Sequence, residues 1–415
     1  MIAFLVAAVR VLGYCFRGFF EQTFGVVFDN ADLNVFYDIV NATFEMAATG
    51  VEVSIYLIGV MTLWLGIMRI GESAGAVQVL SRLARPFFQR LFPGLPKDHP
   101  AGGSILMNFS ANMLGLDNAA TPIGLKAMSE LQELNPDPSR ASDAQIMFLV
   151  LNTSGLTIIP VSILALRAAA GAANPTDVFL PILVATYAST MAGLIAVAIF
   201  QRINLLQPVI LAYLGSITLA IGGIIYYFWT LPPERVGAAS SLAGNFILFS
   251  VIIGFIVLGI RRKINIYNEF IEGAKDGFGV AVKIIPYLIG ILVAIGVFRA
   301  SGAMDILASG IEWIFSAMGF NTDFVPALPT ALMKPLSGSG ARGMMVETMN
   351  AYGPDSFAGR LSSIFQGSTE TTFYVLAVYF GSVGIRNSRY AVTAGLIADF
   401  FGILAAIFIA YLVFH

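Results

Sequence analysis

The run QGSTETT, residues 366–372, places a carboxylate among hydroxyl and amide side chains directly before the apolar stretch FYVLAVYF. A charge near the centre of a bilayer costs at least ~2.5–3.5 kcal/mol on insertion scales, so such a residue faces protein, water or ligand. Asp117, Lys334, Arg342, Glu370 and Asp399 are candidates for such a place. The chemistry they suit is reversible binding. Glu370 offers an acceptor for an amine or a diol, and Lys334 or Arg342 offers a counter-charge. An arginine grips a carboxylate at two points, and hydroxyls bond in either sense. The expected solute site is Asp117, Asn118, Thr121, Lys334, Ser337, Ser339, Arg342, Gln366, Ser368, Thr369, Glu370 and Thr371. A second set, Asn118, Thr121, Asn152, Thr153, Ser154 and Thr157, offers neutral oxygen donors. Those fit Na+ better than a divalent metal; protons carried by Asp117 or Glu370 are the alternative.

Other chemistry has less to work with. No Ser/His or Asp/Asp pairing of usable spacing stands out, so an enzyme is not expected. Two histidines and the single Cys15 exclude internal disulfides and leave little for a metal site. Simpler roles also fit the polar residues. Asn152, Thr153, Ser154 and Thr157 would serve as helix-packing contacts, Lys334 and Arg342 would snorkel, and Glu370 would pair structurally with either cation.

The elements that carry these residues must be membrane elements. Of 415 residues, 57% are hydrophobic and 12% charged, with mean hydropathy +0.81; soluble domains are about a quarter charged. The net charge of −2 gives no reason to expect a nucleic-acid partner. The fold class is all-α, with spanning helices expected near 2–20, 54–70, 144–170, 178–200, 207–229, 243–260, 284–299, 360–383 and 390–413. Two stretches near 100–135 and 325–352 are too broken by Gly, Pro and polar residues to span. They are expected as re-entrant hairpins, tolerated at depth only where protein or a water-filled cavity covers the backbone.

The chain also repeats itself. IYLIGVMTLWLGIMRI matches IPYLIGILVAIGVFRA, and each is followed by an amphipathic stretch and a Gly/Ser/Asn-rich patch. A helix opening on polar residues comes next, with Asn152 aligned on Gln366 and Ser154 on Ser368. Basic residues mark loops near Arg85, Arg202, Arg262 and Arg386, which share one side if the N-terminus is cytoplasmic. The first amphipathic stretch is basic and the second acidic. The copies are therefore expected to be inverted, with His415 external, in the inner membrane. Inverted repeats with broken helices are a frequent plan of secondary transporters.

DNAATPIGLKAMSELQELNP and LNTSGLT resemble the signature of spore maturation protein A; KPLSGSGARGM and QGSTETTFYVLAVYFGSVGIRNSRY resemble that of spore maturation protein B. Both types lie in the nucleoside recognition, or Gate, family, and the resemblance runs through the whole chain. It implies a fusion, with an A-like repeat at 1–203 and a B-like repeat at 204–415. It also implies a distant likeness to concentrative nucleoside transporters, with two hairpins and two broken helices. GLDNAATP departs from the residues of their first hairpin, so a nucleoside is not assured as the solute. The expected function is an ion-coupled carrier of a small polar or zwitterionic solute, nucleoside-like or amino-acid-like, with Na+ or H+ as the coupling ion and no other cofactor. The alternative is a non-transporting structural or regulatory membrane protein of spore-maturation type. The bilayer and the solute are the expected partners, and a homo-oligomer is compatible with both readings.

Overall fold

The computed structural model describes residues 1–96, 99–114 and 117–415, without the side chains of 117–119, 233–234, 280–281, 283–284 and 287. The described residues form eighteen α-helices. The first nine are α1 (Ile2–Cys15), α2 (Arg17–Phe24), α3 (Asn30–Ser73), α4 (Ala76–Leu91), α5 (Pro100–Met113), α6 (Asp117–Glu133), α7 (Asp143–Thr153), α8 (Val161–Ala169) and α9 (Phe179–Gln201). The rest are α10 (Pro208–Thr230), α11 (Pro233–Arg262), α12 (Ile266–Ala300), α13 (Ala303–Ala317), α14 (Leu328–Met333), α15 (Gly338–Tyr352), α16 (Phe357–Ser368), α17 (Thr372–Ser382) and α18 (Ala391–Phe414).

The series α3 to α9 and α12 to α18 follow one order. A long helix ends at a glycine in the left-handed region, Gly75 at φ 92° or Gly302 at φ 83°. An L side chain is strained there, which is why glycine makes both turns. An amphipathic helix follows, then a pair of helices in a hairpin, α5–α6 or α14–α15, then an interrupted helix and a closing one. Ser142 and Ser356 cap the interrupted helices at equivalent places, each hydroxyl accepting from the backbone three residues on.

Five helices are long and apolar enough to cross a membrane: α3, α9, α10, α18, and α11 over Arg235–Arg262. Two bent pairs raise the number to seven if each is one span, α1 with α2 at 88° and the second half of α12 with α13 at 72°. This count is lower than the nine expected spans. The expected spans at 144–170 and 360–383 are each two short helices, because the polar runs take residues 154–160 and 369–371 out of helical hydrogen bonding. The expected span at 2–20 breaks between α1 and α2.

The long helices α3 and α12 pack along each other through small residues. Gly273 and Gly277 stand four apart on α12, and a Cβ on Gly277 would lie 2.5 Å from the Met61 carbonyl oxygen. Such spacing lets backbones approach closely.

Two clamps join the series at opposite ends of the interrupted helices. At the first, Arg389 donates to the Asp143 carboxylate at 2.7 Å, the Arg386 amide donates to the Ser139 carbonyl at 2.9 Å, and the Ala141 amide donates to the Asn387 carbonyl at 2.9 Å. The Asp137 carboxylate in this loop accepts from the Ser139 hydroxyl, which holds it below its ordinary pKa. At the second, Arg167 donates to Asp177 at 3.0 Å, to Asp355 at 3.3 Å and to the Pro354 carbonyl at 2.8 Å, while Arg360 meets Asp177 at 2.7 Å. Helix α7 runs from the first clamp to the centre and α8 from the centre to the second. Helices α16 and α17 make the reverse journey, so the interrupted helices are antiparallel.

Contacts also tie the basic loops together. Gln201 donates to the Asp143 carbonyl beside Arg389, Tyr213 donates to the Leu83 carbonyl, and Arg69 meets Glu269 at 3.5 Å near residues 261–263.

The clamps differ in burial: Arg167 has no exposed surface, whereas the Asp143 side chain is 57% exposed. Removing one partner of a buried ion network leaves charge uncompensated, on the order of 3–5 kcal/mol, while an exposed pair contributes ~0–1 kcal/mol. Arg167→Met is therefore expected to lower the detergent-solubilised protein's melting temperature markedly and Arg389→Met only slightly. Equal shifts in a thermal unfolding assay would contradict this difference.

Candidate functional site

The interrupted helices leave backbone groups that must find partners at depth, and the hairpins supply them. After the first interruption begins, the Ile158 amide donates to the Met113 carbonyl at the end of α5, at 2.8 Å. After the second, the Phe373 amide donates to the Pro335 carbonyl in the turn between α14 and α15, at 3.0 Å. The interruptions themselves meet: the Glu370 amide donates to the Thr153 carbonyl at 2.8 Å. Close fit accompanies these bonds. A Cβ on Gly155 would stand 3.0 Å from Glu370 Cγ, and one on Gly338 would stand 2.6 Å from Thr371 Oγ1. Each interruption is therefore bonded to the hairpin of its own series and to the other interruption.

Helices α9 and α18 cross behind this centre. Thr190 on α9 donates to the Ser154 carbonyl at 3.1 Å. On α18, Asp399 Oδ2 accepts from the Thr372 hydroxyl at 2.7 Å. Gly193, Gly395 and Gly402 lie at the crossing, where a Cβ would stand close to Ser154, Thr372 and Thr369 respectively.

The expected residues divide into three groups. The first is engaged with the protein. Asn152 donates to the Phe148 carbonyl at 2.8 Å, and its Oδ1 accepts from Asn112 at 2.8 Å and Tyr379 at 3.4 Å. Asn108 donates to the Ala120 carbonyl at 2.7 Å, tying the two hairpin helices. Thr153, Thr157 and Ser368 donate to nearby carbonyls of Val150, Gly155 and Phe365. Ser337 caps α15, accepting from the Gly340 amide at 3.0 Å, and stands 3.3 Å from Ser339. Thr121 is half-buried and Lys334 is buried; both have partners within the protein.

The second group presents polar atoms without a protein partner. Ser154 Oγ, Gln366 Oε1 and Arg342 Nε are buried atoms of this kind. Glu370 is exposed at the interruption with Thr371 buried beside it, while Thr369, also buried, hydrogen-bonds the Asp399 carboxyl. The third group, the side chains of Asp117 and Asn118, lies outside the described residues.

Sequence reasoning did not place Ser189 or Tyr379 at the centre. Ser189 is fully buried with its hydroxyl unpartnered. Nothing local marks Tyr379, in an aromatic-rich helix, as a neighbour of the hairpin residue Asn112.

Asn152 joins α5, α7 and α17. Asn152→Leu leaves the Asn112 amide and Tyr379 hydroxyl short of an acceptor, and each lost partner costs ~1–3 kcal/mol. The melting temperature is expected to fall for Asn152→Leu and to stay near wild type for Thr157→Val. Unchanged stability in Asn152→Leu would remove Asn152 from the framework of the site.

Two segments, residues 54–170 and 281–386, match the nucleoside recognition (Gate) family. The chain is 48% identical over 164 residues to spore maturation protein B of Bacillus subtilis (strain 168), covering 40% of this chain and 90% of that protein. It is 44% identical over 158 residues to spore maturation protein A of the same organism, covering 38% of this chain and 81% of that protein. The chain belongs to the nucleoside recognition (Gate) family of membrane proteins, and its likeness to both spore maturation proteins is consistent with a fusion of the two.

Proposed function

We propose that this Gate-family membrane protein is an ion-coupled carrier of a small polar or zwitterionic solute, with the solute held where the hairpin turns meet the two interruptions. The observation that carries the reading is the set of backbone bonds joining Met113 to Ile158, Pro335 to Phe373 and Thr153 to Glu370. They gather non-helical backbone from four elements at one place, as a midplane transporter site requires. Glu370, exposed there, is the acceptor for an amine or diol. Arg342, with a buried Nε lacking a partner, is the group that meets a carboxylate. Ser337, Ser339, Thr369 and Thr371 supply hydroxyls, and Asp117, Asn118 and Thr121 belong to the facing hairpin.

The architecture that goes with this reading is a pair of inverted repeats, an A-like one over 1–203 and a B-like one over 204–415. The same family matching twice and the antiparallel interrupted helices support it. The basic loops linked through Arg69, Leu83 and Asp143 favour a cytoplasmic N-terminus and an external C-terminus. A second reading, a structural or regulatory protein of the kind the relatives' names suggest, is favoured by the closed network of Asn108, Asn112, Asn152 and Tyr379, which fills its space with its own side chains.

Uptake and efflux by proteoliposomes, screened over amino-acid-like and nucleoside-like solutes, separate the two. Flux of a solute by the wild type and its loss in Glu370→Gln, with an unchanged melting temperature, are the expected results. Full flux in Glu370→Gln would take the solute away from this run, and absence of flux or solute binding across the screen would favour the second reading.

A further inference from the structure

Three buried polar atoms without partners stand along the crossing of α9 and α18: Ser154 Oγ, Ser189 Oγ and Asp399 Oδ1. Asp399 is 2% exposed and Ser189 not at all. Unmade hydrogen bonds in such a place are costly, and a cluster of them calls for an occupant. The geometry brings two of the three together with the second interruption. A Cβ on Gly402 would lie 2.9 Å from Thr369 Cγ2 and 3.4 Å from Ser189 Oγ. Asp399 precedes Gly402 by three residues, so both look from one helix face. The Asp399 carboxyl takes a hydrogen bond from the Thr369 hydroxyl and feels the charge of Lys334, and its Oδ2 also accepts from Thr372.

We propose that Asp399 Oδ1, Ser189 Oγ and the Thr369 hydroxyl bind a monovalent cation of the size of Na+. The inference rests on the carrier reading for its purpose, and it moves the ion from the first hairpin to the α9–α18 crossing. The donors are hard oxygens with one carboxylate among them, and Lys334 adds positive charge nearby, so a divalent ion is disfavoured. Thr190 on α9, which bonds the Ser154 carbonyl, carries no charge. The two crossing positions are therefore unequal, and the ion belongs to the side with the carboxylate. Because Lys334 ends α14, cation binding at Asp399 also changes the charge that the second hairpin faces, which links ion and hairpin.

The test measures ion binding without any solute. The melting temperature of the purified full chain is followed against Na+, Li+ and K+ at fixed ionic strength and fixed pH, since a ligand of the native state must stabilise it. 22Na+ binding by scintillation proximity is measured in parallel. A saturable rise with Na+ is expected in the wild type and in Thr157→Val, which alters the first-hairpin donor set. Asp399→Asn is expected to abolish it, and Ser189→Ala to weaken half-saturation about 10–100-fold, the usual penalty for disturbing a ligand shell. If Asp399→Asn does not fold, Ser189→Ala and 22Na+ binding decide. A melting temperature indifferent to all three cations, or one responding to pH alone, would overturn the cation site in favour of an empty or protonated carboxyl. Retention of the Na+ response in Ser189→Ala, or its loss in Thr157→Val alone, would do the same. Flux of no solute would sink the carrier reading yet leave Na+ binding intact, so the two failures are told apart.

Discussion

The bond from the Glu370 amide to the Thr153 carbonyl is the constraint on which the rest of the architecture turns. Lipid offers no partner to a backbone amide or carbonyl, so a helix interrupted at depth must find protein groups to replace its own ladder. Each interruption here draws on the other and on a hairpin turn. That requirement fixes where the hairpins lie and why glycines occupy the approaches. Gly155 and Gly338 stand where any side chain would push Glu370 or Thr371 away. It also requires α9 and α18 to cross tightly behind the centre, which Gly193, Gly395 and Gly402 permit.

The clamps at either end obey the same logic with different materials. Both hold the loop before one interrupted helix against the loop after the other. At the first clamp, backbone bonds between residues 139–141 and 386–387 share the task with one exposed ion pair. At the second, Arg167 is wholly enclosed and satisfied by two carboxylates and backbone carbonyls. A buried charge is tolerable only when its donors are used in this way. The first clamp thus rests on backbone bonds and an exposed ion pair, and the second on a desolvated network.

Much of this was legible in the sequence because its causes are local. Hydropathy, glycine and proline positions, and the order of polar patches located both hairpins and both helices with polar openings. Other features depend on partners distant in the chain. The breaks expected in the spans at 144–170 and 360–383 had no visible partners in the sequence, since the residues that replace the lost ladder bonds sit at Met113, Pro335 and the opposite interruption. Ser189 looked like any small residue in an apolar helix, and only the fold brings it to Thr369. Asn152 gave the opposite lesson. Its polarity at depth suggested a ligand site, yet its amide and carbonyl are taken up by Phe148, Asn112 and Tyr379.

Residues that align in the sequence have different surroundings in the two series. Asn152 is saturated by neighbours, whereas Gln366, its aligned counterpart, leaves a buried Oε1 unpartnered. Thr190 bonds backbone, whereas Asp399 brings a carboxylate to the corresponding side of the crossing. The first hairpin joins its interrupted helix through amide side chains, Asn112 to Asn152. The second has serines and Lys334 around its turn. Both series keep buried polar atoms unpartnered, Ser154 and Ser189 in the first and Arg342, Gln366 and Asp399 in the second.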